Sequence, residues 1–175
     1  MLPEFAIWLV PEKRAYEWLA GLIAEVSQAV GATSFAPHLT LCSGTWQSEA
    51  HLIAVLQEAL RGVRPLTLSV AEVDVSSEYF QSLFLRLVEG SNSALLALHY
   101  YLRQELEPRS TAIYEPHLSL VYYQASRIEK ELLRAHLPTL PATLRFDEVW
   151  LVAPTGERGW QDITGWKTLY THPLQ

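Results

Sequence analysis

The chain has 175 residues, 49% of them hydrophobic, enough for one good core and within the usual range of a single domain. Thirteen Lys and Arg against nineteen Asp and Glu leave a formal charge of −6, the wrong sign for tracking the many phosphates of a long nucleic acid, although a local site can still hold a small anion. One cysteine, Cys42, excludes an intramolecular disulfide framework and a Cys-rich zinc site and suits a reducing compartment. No apolar run approaches the roughly 18 residues that span a bilayer, and the opening lacks the segments of a secretory signal, so a cytoplasmic protein with no membrane contact is expected.

Residues 5–10 form an apolar run of strand length closed by Pro11. Over 12–30, Tyr16, Leu19, Leu22, Ile23 and Val26 recur at helical spacing, and Gly31 follows as a C′ residue. A strand is expected over 35–42, then a helix over 49–60 whose apolar stripe is Leu52, Val55, Leu56 and Ala59, then a strand over 65–75. After the polar turn at 76–78 come a strand over 79–88, a turn at 90–92 and a helix over 94–106. A strand over 114–123, a helix over 127–136 and a strand over 143–152 complete a second pass through the same order. A turn at 155–159 leads to a last edge strand over 166–170.

The residues repeat along with the elements. Pro37-His38-Leu39-Thr40-Leu41 returns as Pro116-His117-Leu118-Ser119-Leu120, and PLTLSVAEV at 65–73 matches PATLRFDEV at 141–149 in one register. A duplicated unit of about 75 residues is inferred, with pseudo-repeats near 1–75 and 79–153. No Pro/Gly/Ser linker divides them, so residues 1–175 are read as one two-lobed domain sharing a core. The expected class is α+β: two similar lobes, each a mainly antiparallel sheet backed by helices, with a central cleft.

Side chains alternate along a strand, so His38 and Thr40 share one face and Leu39 and Leu41 the other; the same holds for His117 and Ser119. If a twofold relates the repeats, both polar pairs line one cleft. Such a group suits phosphodiester hydrolysis, which needs a base to take a proton from water and an acid to protonate the departing oxygen. An imidazole, with an ordinary pKa of about 6.5, serves either role near neutral pH. The hydroxyls of Thr40 and Ser119 can donate to the non-bridging phosphate oxygens as phosphorus becomes five-coordinate. One His-x-Thr in a strand is ordinarily structural; two copies at the same place in a repeat point to catalysis. No Cys or carboxylate accompanies either histidine at ligand spacing, so neither a metal nor another cofactor is expected.

At these residues the chain resembles the 2H phosphoesterase superfamily, whose signature is two His-x-Thr/Ser motifs in a duplicated α/β fold. It is most similar to the plant- and yeast-type cyclic nucleotide phosphodiesterases, on Ala6-Ile7-Trp8-Leu9-Val10-Pro11, Tyr79-Phe80-Gln81 and the second motif through Tyr122. The resemblance implies a hydrolase that opens ADP-ribose 1″,2″-cyclic phosphate, a by-product of tRNA splicing, or nucleoside 2′,3′-cyclic phosphates. It implies His38 and His117 as acid and base, Thr40 and Ser119 as phosphate binders, and Trp8, Phe80 and Tyr122 as aromatic walls against the substrate. The expected partner is a small cyclic phosphate and the expected state a monomer. Two rivals stand: a phosphodiesterase acting on RNA ends or 2′,5′-linked oligonucleotides, and a nucleotide-binding module without turnover. Arg86 and Arg145 are candidates to face the cleft, Cys42 lies two residues beyond Thr40 on the cleft face by alternation but is read as a small buried thiol, the commoner case, and His51, His99, His136 and His172 are read as surface or boundary residues.

Overall fold

The computed structural model describes residues 3–89, 94–107, 113–156 and 158–175; the expected turn at 90–92, and Glu157 of the turn at 155–159, lie outside them. In chain order the elements are β1 (Glu4–Pro11), α1 (Lys13–Ala29), β2 (Leu39–Thr45), α2 (Glu49–Ala59), β3 (Leu66–Val75), β4 (Leu83–Glu89), α3 (Ala94–Leu106), β5 (His117–Val121), α4 (Arg127–Ala135), β6 (Thr143–Pro154) and β7 (Trp166–Pro173). The α+β class and the antiparallel pairing are as expected.

Strand order is β1-β2-β5-β4-β3-β6-β7, and β6 also pairs with β1, which closes six strands into a barrel. Closure leaves those six strands without a free edge. The long strand β6 makes this work. One edge takes β1 along its length, while the other takes β3 at 143–146 and then β7 from Glu148 onward. Exchanging β1 with β4, β2 with β5 and β3 with β6 returns the same list of neighbours, so the strand order is twofold symmetric about the contact of β2 with β5. The sheets of the two halves are thus joined edge to edge rather than stacked.

Period-2 alternation sorts β1. Phe5, Ile7 and Leu9 enter the main core, whereas Ala6, Trp8 and Val10 enter a second, smaller cluster with Val152. α1 covers the main core with Leu19, Leu22, Ile23 and Val26, and α2 adds Leu52 and Leu56. Each fully buried leucine is worth about 1.5–3 kcal/mol. Helix ends are capped as the residue types dictate: Gly31 follows α1 at φ +69°, Ser48 accepts the His51 N–H, and Ser126 with Glu129 closes a capping box on α4.

Three strands begin later than the sequence implies. β2 starts three residues after the Ala36 carbonyl and β5 two residues after that of Glu115, and each of these carbonyls accepts a histidine ring N–H instead of a strand partner. The intervening prolines, Pro37 and Pro116, have no N–H to give a ladder. Before β4, Tyr79–Gln81 is a turn of 3-10 helix. Fully buried Ser82 holds that turn, donating to the Tyr79 carbonyl at 2.6 Å and accepting the Tyr123 N–H at 3.0 Å.

Candidate active site

Leu39 of β2 pairs with Leu118 of β5, both fully buried. Antiparallel register then sets His38 across from Ser119 and Thr40 across from His117, so each histidine meets the hydroxyl of the other motif. All four line one cleft of about 280 Å³, together with Ser43, Ala6 and Trp8 at its β1–β2 side and Phe80, Tyr122, Trp160 and Trp166 around its aromatic side. The structure therefore brings together every site residue expected from the sequence.

Both rings are held the same way. His38 Nδ1 lies 2.7 Å from the Ala36 carbonyl and His117 Nδ1 lies 2.8 Å from the Glu115 carbonyl. A carbonyl only accepts, so each Nδ1 carries the proton and each Nε2 is left for chemistry. Their surroundings differ. His38 is 7% exposed, stacks on Trp8 at 3.7 Å between centroids, and meets Phe35 and Trp166 edge-on. That apolar burial lowers its pKa to about 4, against a smaller raising effect from the Ala36 carbonyl, and His117 nearby lowers it further. The half-buried His117 is also lowered by burial, opposed by the Glu115 carbonyl and carboxylate.

Tyr122 is buried, stacked on Phe35 at 3.9 Å, with its hydroxyl 3.5 Å from His38 Nε2 and within reach of Ser119. Burial pushes its pKa far up, so the phenol is a donor at any working pH. The Ser119 Oγ–H is given to the Phe80 carbonyl at 2.7 Å, so it must turn before it can serve a phosphate.

Other expectations are corrected. Arg86 sits across from His117 but its guanidinium is committed to Glu72 at 3.1 Å, Asp74 at 2.8 Å and Glu115 at 3.6 Å, which leaves it steadying the His117 strand rather than facing an anion. Arg145 pairs with Glu12 at 3.7 Å, away from the cleft. Cys42, by contrast, is the small buried thiol the sequence favours: the register slips between Ile7 and Trp8, which pair with Cys42 and Thr40, and turns it into the core, where burial above all and Glu107 beside it push the thiol up to about 12. His99 is a core residue, 7% exposed, donating Nδ1–H to the Leu41 carbonyl at 2.6 Å and stacked on Tyr114. Sequence reasoning missed Trp160 and Trp166, since only the closing of β7 against β6 carries them to the cleft. Among the described residues, no three His, Cys, Asp or Glu gather as a metal would require, and no Lys, Arg, Asp or Glu lines the cleft.

The family model described as "Cyclic phosphodiesterase-like protein" matches residues 4–161. A cyclic phosphodiesterase of Arabidopsis thaliana is 21% identical over 140 residues, covering 80% of this chain and 76% of that protein. Among solved structures, Escherichia coli LigT in apo form superposes with a TM-score of 0.67 at 16% identity, covering 99% of this chain and 98% of that one. LigT complexed with 3′-AMP gives 0.65 at 16% identity, covering 100% and 99%. TT0787 of Thermus thermophilus gives 0.59 at 16% identity, covering 98% and 97%. These structures share the barrel described above. The chain belongs to the cyclic phosphodiesterase-like family within the 2H phosphoesterase superfamily, and is an enzyme of the cyclic phosphodiesterase type.

Proposed function

We propose that the cleft hydrolyses a five-membered cyclic phosphodiester on a nucleoside or an ADP-ribose derivative, without a metal, with His38 as general base and His117 as general acid. The observation that carries this reading is the pair of Nε2 atoms freed by the two Nδ1–H bonds on adjoining strands. His38, caged by rings, is neutral above about pH 4 and so can take a proton from water. The water oxygen then bonds to phosphorus and one P–O(sugar) bond breaks. The departing oxygen takes its proton from the His117 imidazolium, whose charge the Glu115 carboxylate favours. Products are a phosphomonoester and a free hydroxyl, and solvent exchange returns the proton from His38 to His117. Thr40 and Tyr122, with Ser119 once its hydroxyl turns from Phe80, hold the phosphoryl oxygens as charge builds on them.

The cleft's 280 Å³ sits near the lower bound of about 300 Å³ for ligand pockets, which suits a mononucleotide better than an oligonucleotide end. Two intact His-hydroxyl pairs in one cleft favour turnover over simple binding. In this reading the chain is one duplicated two-lobed domain, a cytoplasmic monomer whose partner is the small-molecule substrate. The test is turnover of ADP-ribose 1″,2″-cyclic phosphate and of each nucleoside 2′,3′-cyclic phosphate with chelator present. Chelator-resistant ring opening supports the reading; no turnover of any of them contradicts it.

A further inference from the structure

Trp160 and Trp166 lie outside both histidine motifs, and Trp166 lies beyond the residues matched by the family model. Trp160 comes from a turn of 3-10 helix at Gly159–Gln161, and Trp166 is the first residue of β7. The Trp166 Nε1–H donates to the Trp160 carbonyl at 3.1 Å, and the two rings meet edge to face at 5.7 Å. Trp166 also touches Trp8, Phe35, His38 and Tyr122, so it ties the Trp160 turn to the cage around the first histidine. Below the turn, the Asp162 carboxylate fills the space against Gly156 and Gly165, where a Cβ at either would meet it. The turn is therefore braced from two sides.

The cleft is lined by two kinds of group. Polar groups come from His38, Thr40, Ser43, His117 and Ser119, and ring surface comes from Trp8, Phe80, Tyr122, Trp160 and Trp166. Phe80 is 39% exposed, a large ring left open at the cleft. Ring faces without charged or amide groups bind a flat heterocycle by stacking and do not read its edge. Among the described residues no Lys or Arg lines the cleft, so a diphosphate between base and sugar meets no side-chain cation there.

Resting on the proposed phosphodiesterase reading, we infer that Trp160, held by Trp166, forms a base-stacking subsite that selects nucleoside 2′,3′-cyclic phosphates of any base over cyclic phosphates whose base is absent or set beyond a diphosphate. Trp160 is the specificity-determining residue and Trp166 its positioning residue.

The experiment compares the parent with Trp160→Ala, Trp160→Phe and Trp166→Phe. Turnover is measured on adenosine and cytidine 2′,3′-cyclic phosphates, ADP-ribose 1″,2″-cyclic phosphate and methyl ribofuranoside 2,3-cyclic phosphate. Binding of adenosine 2′-monophosphate is followed by calorimetry. The parent is expected to favour both nucleosides over the other two substrates. Trp160→Ala should raise KM for both nucleosides about tenfold or more, the scale of losing one stacked base, with kcat held within about twofold. The base-free substrate should be indifferent to the change, and Trp160→Phe should restore most of the loss. Equal losses on the base-free substrate, no loss on the nucleosides, or a parent that prefers the ADP-ribose compound would overturn the inference. If the parent opens no cyclic phosphate, the phosphodiesterase reading fails; calorimetry then decides the subsite, which stands only if adenosine 2′-monophosphate binds and Trp160→Ala weakens it.

Discussion

Burial of His38 as a neutral ring makes stability depend on pH in a way one substitution can isolate. In the unfolded chain this imidazole titrates near 6.5; in the fold it titrates at about 4. Between those values the unfolded state binds more protons than the folded state, so stability rises with pH. The neutral ring's contribution is complete above pH 6.5, is lost as pH falls through that window, and changes no further below about pH 4. At about 1.4 kcal/mol per pKa unit, the full loss is about 3 kcal/mol. His38→Asn removes the titration but keeps an amide N–H where Nδ1 donates to the Ala36 carbonyl. Urea unfolding of parent and variant from pH 3.5 to 7.5 measures the difference in unfolding free energy. All other titrations, including the lowered His99 and His117, are common to both proteins and cancel. The difference should move by about 3 kcal/mol against the parent on acidification. A difference that stays flat, or that moves toward the parent, refutes the caged neutral imidazole.

Three further outcomes follow from the geometry. The profile of kcat/KM against pH should be bell-shaped, with its acid limb near pH 4 from His38 and its alkaline limb from His117 at a value below 6.5; a single limb would contradict the division of roles. Tyr122→Phe keeps the stack on Phe35 but removes the donor facing His38 Nε2, so the acid limb should move upward, with stability changed by about 1 kcal/mol or less; an unmoved limb would dissociate the phenol from the base. Gly44→Ala should displace the Glu107 side chain, which a Cβ at 44 would strike, and lose its bond to the Thr45 N–H at 2.9 Å, for about 1 kcal/mol by thermal denaturation. In a Glu107→Ala background the same substitution should be nearly silent.

The helices and the paired motifs were legible because local rules govern them. Leu19, Leu22, Ile23 and Val26 announce α1 by spacing alone, and the repeated Pro-His-Leu-hydroxyl-Leu run announces two equivalent strand entries. Nothing local announces barrel closure, since the pairing of β1 with β6 joins residues some 140 apart in sequence. His38 and His117 were expected inside strands; His38 instead falls just before β2 and His117 becomes the first residue of β5, because each ring caps a backbone carbonyl, a competition between side chain and ladder that periodicity cannot register. The slip beside Leu41 that sends Cys42 inward is likewise invisible to strict alternation. His99 was misread because its helix looks amphipathic with histidine at a boundary, yet Leu41 offers it a buried carbonyl. Trp160 and Trp166 carried no motif and became part of the site only through the placement of β7.

Most direct for the central claim is a double-mutant cycle on the two histidines. The kcat of the parent, His38→Ala, His117→Ala and the double variant would be measured on one nucleoside 2′,3′-cyclic phosphate. If the rings act together on one phosphorus, each single variant loses at least about a hundredfold and the double variant is hardly worse than either, because removing one partner already disables the pair. Single variants that each keep more than about a tenth of the parent's rate, with losses that simply multiply in the double variant, would contradict it.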